Sequence, residues 1–234
     1  MAGDTRRLLE EWRKGQPVPG ADGVSLVRAR LDLPSRTLAA LQETLSDEET
    51  ARAAAFRFEA DRDRYVAARG LLRHVIGSYL RVLPARVRFR LRQHGKPALS
   101  EAHGRPELRF NLAHSHDRAL IALALDREVG VDLERVRDDL DHLDIAEHFL
   151  ALQEAQELAA AADGERPERF ALAWTRMEAY AKATGAGLAV GPLAPDEREW
   201  EIVTLRPWEG YVAALAAQGH GWPVTLWEWE AEGG

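Results

Sequence analysis

The stretch EVGVDLERV, from Glu128 to Val136, decides how the rest of the chain is read. Alternate residues of a strand point to opposite faces. Val131 and Leu133 therefore turn one way, and Asp132 and Glu134 the other. Half of the strand is core, and half presents two carboxylates side by side. Adjacent acids repel unless a positive charge lies between them. A divalent ion with hard oxygen ligands, such as Mg²⁺, answers that need. A half-exposed strand with a solvated acidic face is the competing account, and D-x-E alone does not separate the two.

Toward the C-terminus, WTRMEAYAKATGAGL (Trp174 to Leu188) reads as a helix closed by glycines. Trp174, Glu178 and Lys182 follow one another at i, i+4 and i+8, which places them on one stripe. Glu178 is then a possible third carboxylate. The plain alternative is a surface Glu→Lys helix pair, worth about 0.2–0.5 kcal/mol.

Toward the N-terminus, FNLAHSHD (110–117) is a strand end running into a polar turn. His114 and His116 flank Ser115, but the G-x-S-x-G elbow of a serine nucleophile is absent. A phosphate-binding histidine in a turn fits better. HGKP (94–97) is a turn that projects Lys96 and is stiffened by Pro97. Between Phe56 and Arg73, Arg62, Arg69 and Arg73 gather near one side of a predicted helix. Guanidinium groups so placed suit phosphate oxygens, or simply form a solvated basic face.

The intervening segments complete a pattern. Residues 1–37 read as irregular apart from a first strand in GVSLVRARLDL. Ser46–Glu49 has the S-x-x-E form of a capping box, so a helix to about Ala55 follows. A second helix is predicted over Arg62–Leu83, ended by Pro84. Strands precede and follow the H-G-K-P turn. Helices are predicted over 142–162 and 167–184, and the end is strand-rich and hairpin-like. The element order is roughly β-α-α-β-β-β, repeated once. The fold class is therefore α+β, built from two similar α/β halves spanning 1–125 and 126–234.

Composition narrows the function. The chain has 234 residues, 46% of them hydrophobic, and no cysteine. Thiolate catalysis, disulfides and Cys-ligated zinc are excluded. The net charge of −7 argues against binding a nucleic acid polymer, yet eleven Lys and Arg residues crowd 57–96. That asymmetry fits a local anionic ligand. No apolar run reaches the roughly 18–20 residues of a membrane span, and the N-terminus lacks an apolar signal segment, so the expected address is cytoplasmic.

Taken in order, FRFEADRDRYVAARGLLR, HGKPAL, FNLAHSHDRALIALA, VGVDLERV, HFLALQEAQEL and FALAWTRMEAYAKATGAGL resemble the 4′-phosphopantetheinyl transferase superfamily of the Sfp (surfactin-synthetase-activating) type. The likeness runs from about Leu45 to Trp229, and V-G-V-D-L-E and W-T-x-x-E-A-x-x-K-A-x-G-x-G-L are its specific parts. The resemblance implies a fused pseudo-dimer with the site between its halves. It implies transfer of 4′-phosphopantetheine from coenzyme A to a serine of an apo acyl, peptidyl or aryl carrier protein, with release of 3′,5′-adenosine bisphosphate. Asp132, Glu134 and Glu178 match the family's Mg²⁺ ligands, for which Mn²⁺ is a possible substitute. Glu178 is also matched to the catalytic base, a role that a metal-bound water would equally fill. Lys182 matches a catalytic lysine that reaches the pyrophosphate. His114 matches a phosphate contact, Lys96 with Pro97 a nucleotide contact, and Arg69 a 3′-phosphate contact. A monomer is implied, since both halves lie in one chain.

The family motif W-T-x-K-E-A has lysine where this chain has Met177, and Ala113 replaces a serine that often precedes the histidine. Read from the sequence, Met177 removes a cation from the cleft. This motivates an alternative: a non-catalytic CoA- or carrier-binding homologue. A Mg²⁺-dependent phosphodiesterase acting on CoA-like molecules is a third account.

Overall fold

The structure is a computed structural model that describes residues 13–15, 17, 20, 22–91, 96–187 and 195–230. In chain order its elements are β1 (Arg13–Lys14), β2 (Val24–Arg30), α1 (Ser35–Gln42), α2 (Asp47–Ala54), α3 (Glu59–Leu80), β3 (Phe89–Leu91), β4 (Pro97–Leu99), β5 (Leu108–Ser115), β6 (Arg118–Leu125), β7 (Val129–Arg135), α4 (His142–Phe149), α5 (Leu152–Ala159), α6 (Arg166–Thr184), β8 (Trp200–Leu205), β9 (Tyr211–Gln218) and β10 (Val224–Glu228). The strands form a five-stranded sheet ordered β1-β10-β2-β6-β5, a three-stranded sheet ordered β7-β9-β8, and a β3-β4 pair. Mixed helices and sheets in two similar halves agree with the α+β expectation.

Alternation along the strands builds the layers. Val24, Leu26, Leu120 and Ala122 of the first sheet share one core cluster with Val131, Leu133, Ala213 and Leu215 of the second. The opposite face of the first sheet, through Val27, Ile121 and Leu123, packs on α3. The opposite face of the second, through Ala214 and Ala216, packs on Ala179 and Ala183 of α6. Two sheets thus lie back to back with a helix outside each.

Several elements depart from the sequence reading. Helix α1 is not predicted from the sequence; its first three residues fall in the stretch read as irregular. Its Leu41 is 3% exposed, and a side chain at Gly70 would meet the Leu41 Cβ at 2.7 Å. Helix α3 starts earlier than predicted, at Glu59, and stops at Leu80, where Arg81 takes a left-handed conformation (φ 57°). The predicted helix over 142–162 is broken in two because Leu150 adopts extended backbone and is buried with Phe170 and Met177. The capping box on α2 is present, with Ser46 and Glu49 reciprocally bonded. At the C-terminus β8 and β9 form a hairpin, but β10 crosses to the first sheet and pairs parallel with β2.

Candidate active site

The site begins with a glycine. A Cβ on Gly130 would lie 2.1 Å from the Ala179 carbonyl oxygen and 2.4 Å from the Ala183 nitrogen. Only the missing side chain lets α6 rest directly on β7. Ala179 and Ala183 add little bulk of their own and are almost completely buried. Because Gly130, Asp132 and Glu134 share the face of β7 opposite Val131 and Leu133, the close approach of α6 brings Glu178 and Lys182 to the two carboxylates.

Lys182 is the hub. Its Nζ donates to Asp132 Oδ1 at 2.5 Å and lies 3.7 Å from Glu178 Oε2. Burial depresses the ammonium, but Asp132, Glu178 and Glu134 outweigh it, so its pKa is raised and the charge is retained. The sequence alternative of a surface Glu→Lys pair is therefore incomplete: the lysine's shorter contact is to Asp132, fifty residues away in the chain.

Asp132 is 4% exposed. Burial, reinforced by Glu134 and Glu178, pushes its carboxyl up to about 7 against the pull of Lys182. Its Oδ2 is buried and has no hydrogen-bond partner among the described residues. A buried, unpartnered carboxylate oxygen beside two further acids marks a place short of positive charge. Glu134 is also raised, chiefly by burial; a hydrogen bond from Ser115 opposes the shift. The donor set of three carboxylates therefore suits a hard divalent ion. As placed, no group of three His, Asp or Glu among the described residues is gathered closely enough to hold one.

His114, the penultimate residue of β5, keeps part of its surface in solvent, while the rest of the ring lies against protein. Its pKa is lowered, first by its desolvated surroundings and then by Lys182. At neutral pH it is thus an uncharged imidazole beside the lysine, able to offer one N–H.

Lys96 and Pro97 line a cavity of about 410 Å³ together with Ser100, Arg105, Arg109, Phe110 and Glu128. The Lys96 ammonium donates to the Val129 and Ala183 carbonyls, each at 3.1 Å, and lies 3.4 Å from Glu128. It fastens the end of α6 to the start of β7 at the cavity wall. Glu128 precedes Asp132 by four residues, about 13 Å along an extended strand.

Arg69 is engaged elsewhere. It bonds Glu49 at 2.5 Å and stacks over Phe89. Arg73 takes the other Glu49 oxygen at 2.6 Å. This pair of arginines on one buried carboxylate ties α2 to α3.

Met177 corrects the sequence reading. It does not face the carboxylates: it is 4% exposed and packs with Ala146, Leu150, Leu158 and Phe170. One residue is about 100° around a helix, so when Glu178 faces β7 its neighbour faces α4 and α5. Trp174 joins the same cluster, stacked on Phe170 and edge-on to Phe149. The stripe of Trp174, Glu178 and Lys182 is thus divided between an apolar cluster and the polar cleft. The sequence reading missed the Gly130 contact, although a lone glycine between two strand valines was the available signal.

Known proteins resemble this chain in sequence. Residues 128–230 match the model of the 4′-phosphopantetheinyl transferase superfamily, and residues 34–126 match that of a 4′-phosphopantetheinyl transferase N-terminal region. The chain is 37% identical over 221 residues to the 4′-phosphopantetheinyl transferase HetI of Nostoc sp., covering 89% of this chain and 93% of HetI. It is 32% identical over 151 residues to the transferase psf-1 of Bacillus pumilus, covering 64% of this chain and 62% of psf-1. Against Sfp of Bacillus subtilis the identity is 27% over 146 residues, 62% of each chain.

Proposed function

The chain belongs to the 4′-phosphopantetheinyl transferase superfamily, and from that premise we propose that it moves 4′-phosphopantetheine from coenzyme A to a serine of an apo carrier protein, with Mg²⁺ bound and 3′,5′-adenosine bisphosphate released. The observation that carries this reading is Lys182 in contact with both Asp132 and Glu178, with Glu134 on the same face of β7 and an Asp132 oxygen that has no hydrogen-bond partner among the described residues.

The reaction forms a bond from the carrier serine oxygen to the phosphorus that bears pantetheine. It breaks that phosphorus's bond to the bridging oxygen, which leaves with the nucleotide. Such a displacement needs positioning, charge neutralisation and a proton acceptor. Asp132, Glu134 and Glu178 would hold the divalent ion, whose chemistry when bound is to neutralise the pyrophosphate and its developing charge. Lys182, kept cationic by its carboxylate neighbours, orients a pyrophosphate oxygen. His114, uncharged, contributes a hydrogen bond to phosphate. Glu178 accepts the serine proton. The cavity lined by Lys96 and Pro97 receives the nucleotide end, and its distance along β7 from Asp132 suits an extended substrate. Both halves lie in one chain, so the working unit is a monomer.

The test is product analysis with purified protein, CoA and Mg²⁺. Adenosine bisphosphate is expected only when an apo carrier is supplied. Its release without a carrier indicates a phosphodiesterase instead, and no release with any of several carriers sinks the transferase reading.

A further inference from the structure

We propose that Ser115 is a positioning residue that restrains the Glu134 carboxylate on the face of β7 that takes the divalent ion, an inference that rests on the metal reading above. The two large sheets meet where β5 runs beside β7. These strands belong to different sheets, and side chains of β5 supply bonds across their junction. Asn111 Oδ1 accepts from the Val131 N–H at 2.8 Å. Ser115 Oγ accepts from the Arg135 N–H at 3.1 Å. Both pairs join residues twenty apart in the chain, so the strands advance in step. Asp132 and Glu134 lie on β7 between these two anchors.

Ser115 does more than anchor backbone. Its single proton is donated to Glu134 Oε2 at 3.0 Å. One hydroxyl therefore fixes the main chain just after Glu134 and one oxygen of its side chain. Glutamate has one more rotatable bond than aspartate, and ordering it on ligand binding costs correspondingly more entropy. A prior hydrogen bond removes part of that cost, as groups behind metal ligands generally do. The same geometry disfavours Ser115 as a nucleophile: its proton is directed at a carboxylate assigned to the metal, and the His116 ring contacts Asp117.

The experiment uses the full chain with Mn²⁺ as the probe in the presence of CoA. Free Mn²⁺ is read by electron paramagnetic resonance, and kcat and KM for carrier modification are measured alongside thermal unfolding. Ser115→Ala is expected to weaken Mn²⁺ binding about 10-fold and to lower kcat while KM for the carrier is unchanged. Ser115→Thr keeps a hydroxyl in a strand-compatible residue and should restore most of both. Unchanged Mn²⁺ affinity in Ser115→Ala overturns the proposal. So does a Thr variant no better than Ala with both unfolding early, since that marks a purely structural role. Wild-type protein that binds no Mn²⁺ overturns the metal reading itself, and this inference with it, before any variant is compared.

Discussion

At the scale of single residues, the side chain that drew most notice in the sequence has a role that its position in the motif does not reveal. Met177 stands where the sequence resemblance leads one to expect lysine, yet its side chain is enclosed by Phe170, Leu150 and Leu158. Met177→Lys should therefore not tighten CoA binding. It should cost a few kcal/mol of stability, because an ammonium would be desolvated in an apolar cluster. Chemical denaturation beside CoA calorimetry checks both halves of that statement; a variant of full stability and higher CoA affinity would put residue 177 back in the cleft. Asp117, at the β5–β6 turn, offers a second test. Burial would raise its carboxyl, but hydrogen bonds from Tyr211 and His116 and the charge of Arg118 win, holding it at about 2 against an ordinary 3.8. A depressed acid stabilises the fold above its unfolded pKa and loses that contribution as pH falls through the folded one. The shift corresponds to about 2 kcal/mol at neutral pH. Asp117→Asn should be less stable than wild type by roughly that amount at pH 7. The gap should close as pH falls from about 4 toward about 2; a gap independent of pH would remove the electrostatic explanation.

At the scale of elements, helix α6 on strand β7 makes the site, and Gly130 sets their spacing. Gly130→Ala puts a methyl where backbone of α6 now lies. Overpacking of this kind costs about 1–3 kcal/mol, and α6 must shift, taking Glu178 and Lys182 with it. Transfer activity is expected to fall by a much larger factor than the change in unfolding temperature would suggest. Retained activity would show that the close packing is not what aligns the carboxylates. This pairing was partly legible. Alternation along Val129–Arg135 identified which face carries the acids, and i,i+4 spacing joined Glu178 to Lys182. That Lys182 would reach across to Asp132 was not legible, because contacts between distant segments depend on how closely the backbones approach. The same limit hid a partner of Arg69: helical spacing placed it with Arg73, but only the packing of α2 on α3 shows both bonded to Glu49.

At the scale of the whole molecule, the α+β class and the repeated element order were readable from hydrophobic periodicity. The course of the last strand was not. Residues 224–228 alternate like a hairpin partner of β9, yet β10 lies between β1 and β2 in the first sheet. Strand patterns report which face is buried and say nothing of which neighbour supplies the edge. The back-to-back sheets leave β5 and β7 adjoining at one margin, with the carboxylates, Lys182, His114 and the cavity at Lys96 arranged along it. The claim that this margin is a phosphopantetheinyl transfer site is tested most directly by the intact mass of an apo carrier after incubation with CoA and Mg²⁺. Wild-type protein should add one phosphopantetheine per carrier, and a folded Glu178→Gln variant should add none over the same time. Full modification by Glu178→Gln, or none by wild type across a panel of carriers, would contradict the account.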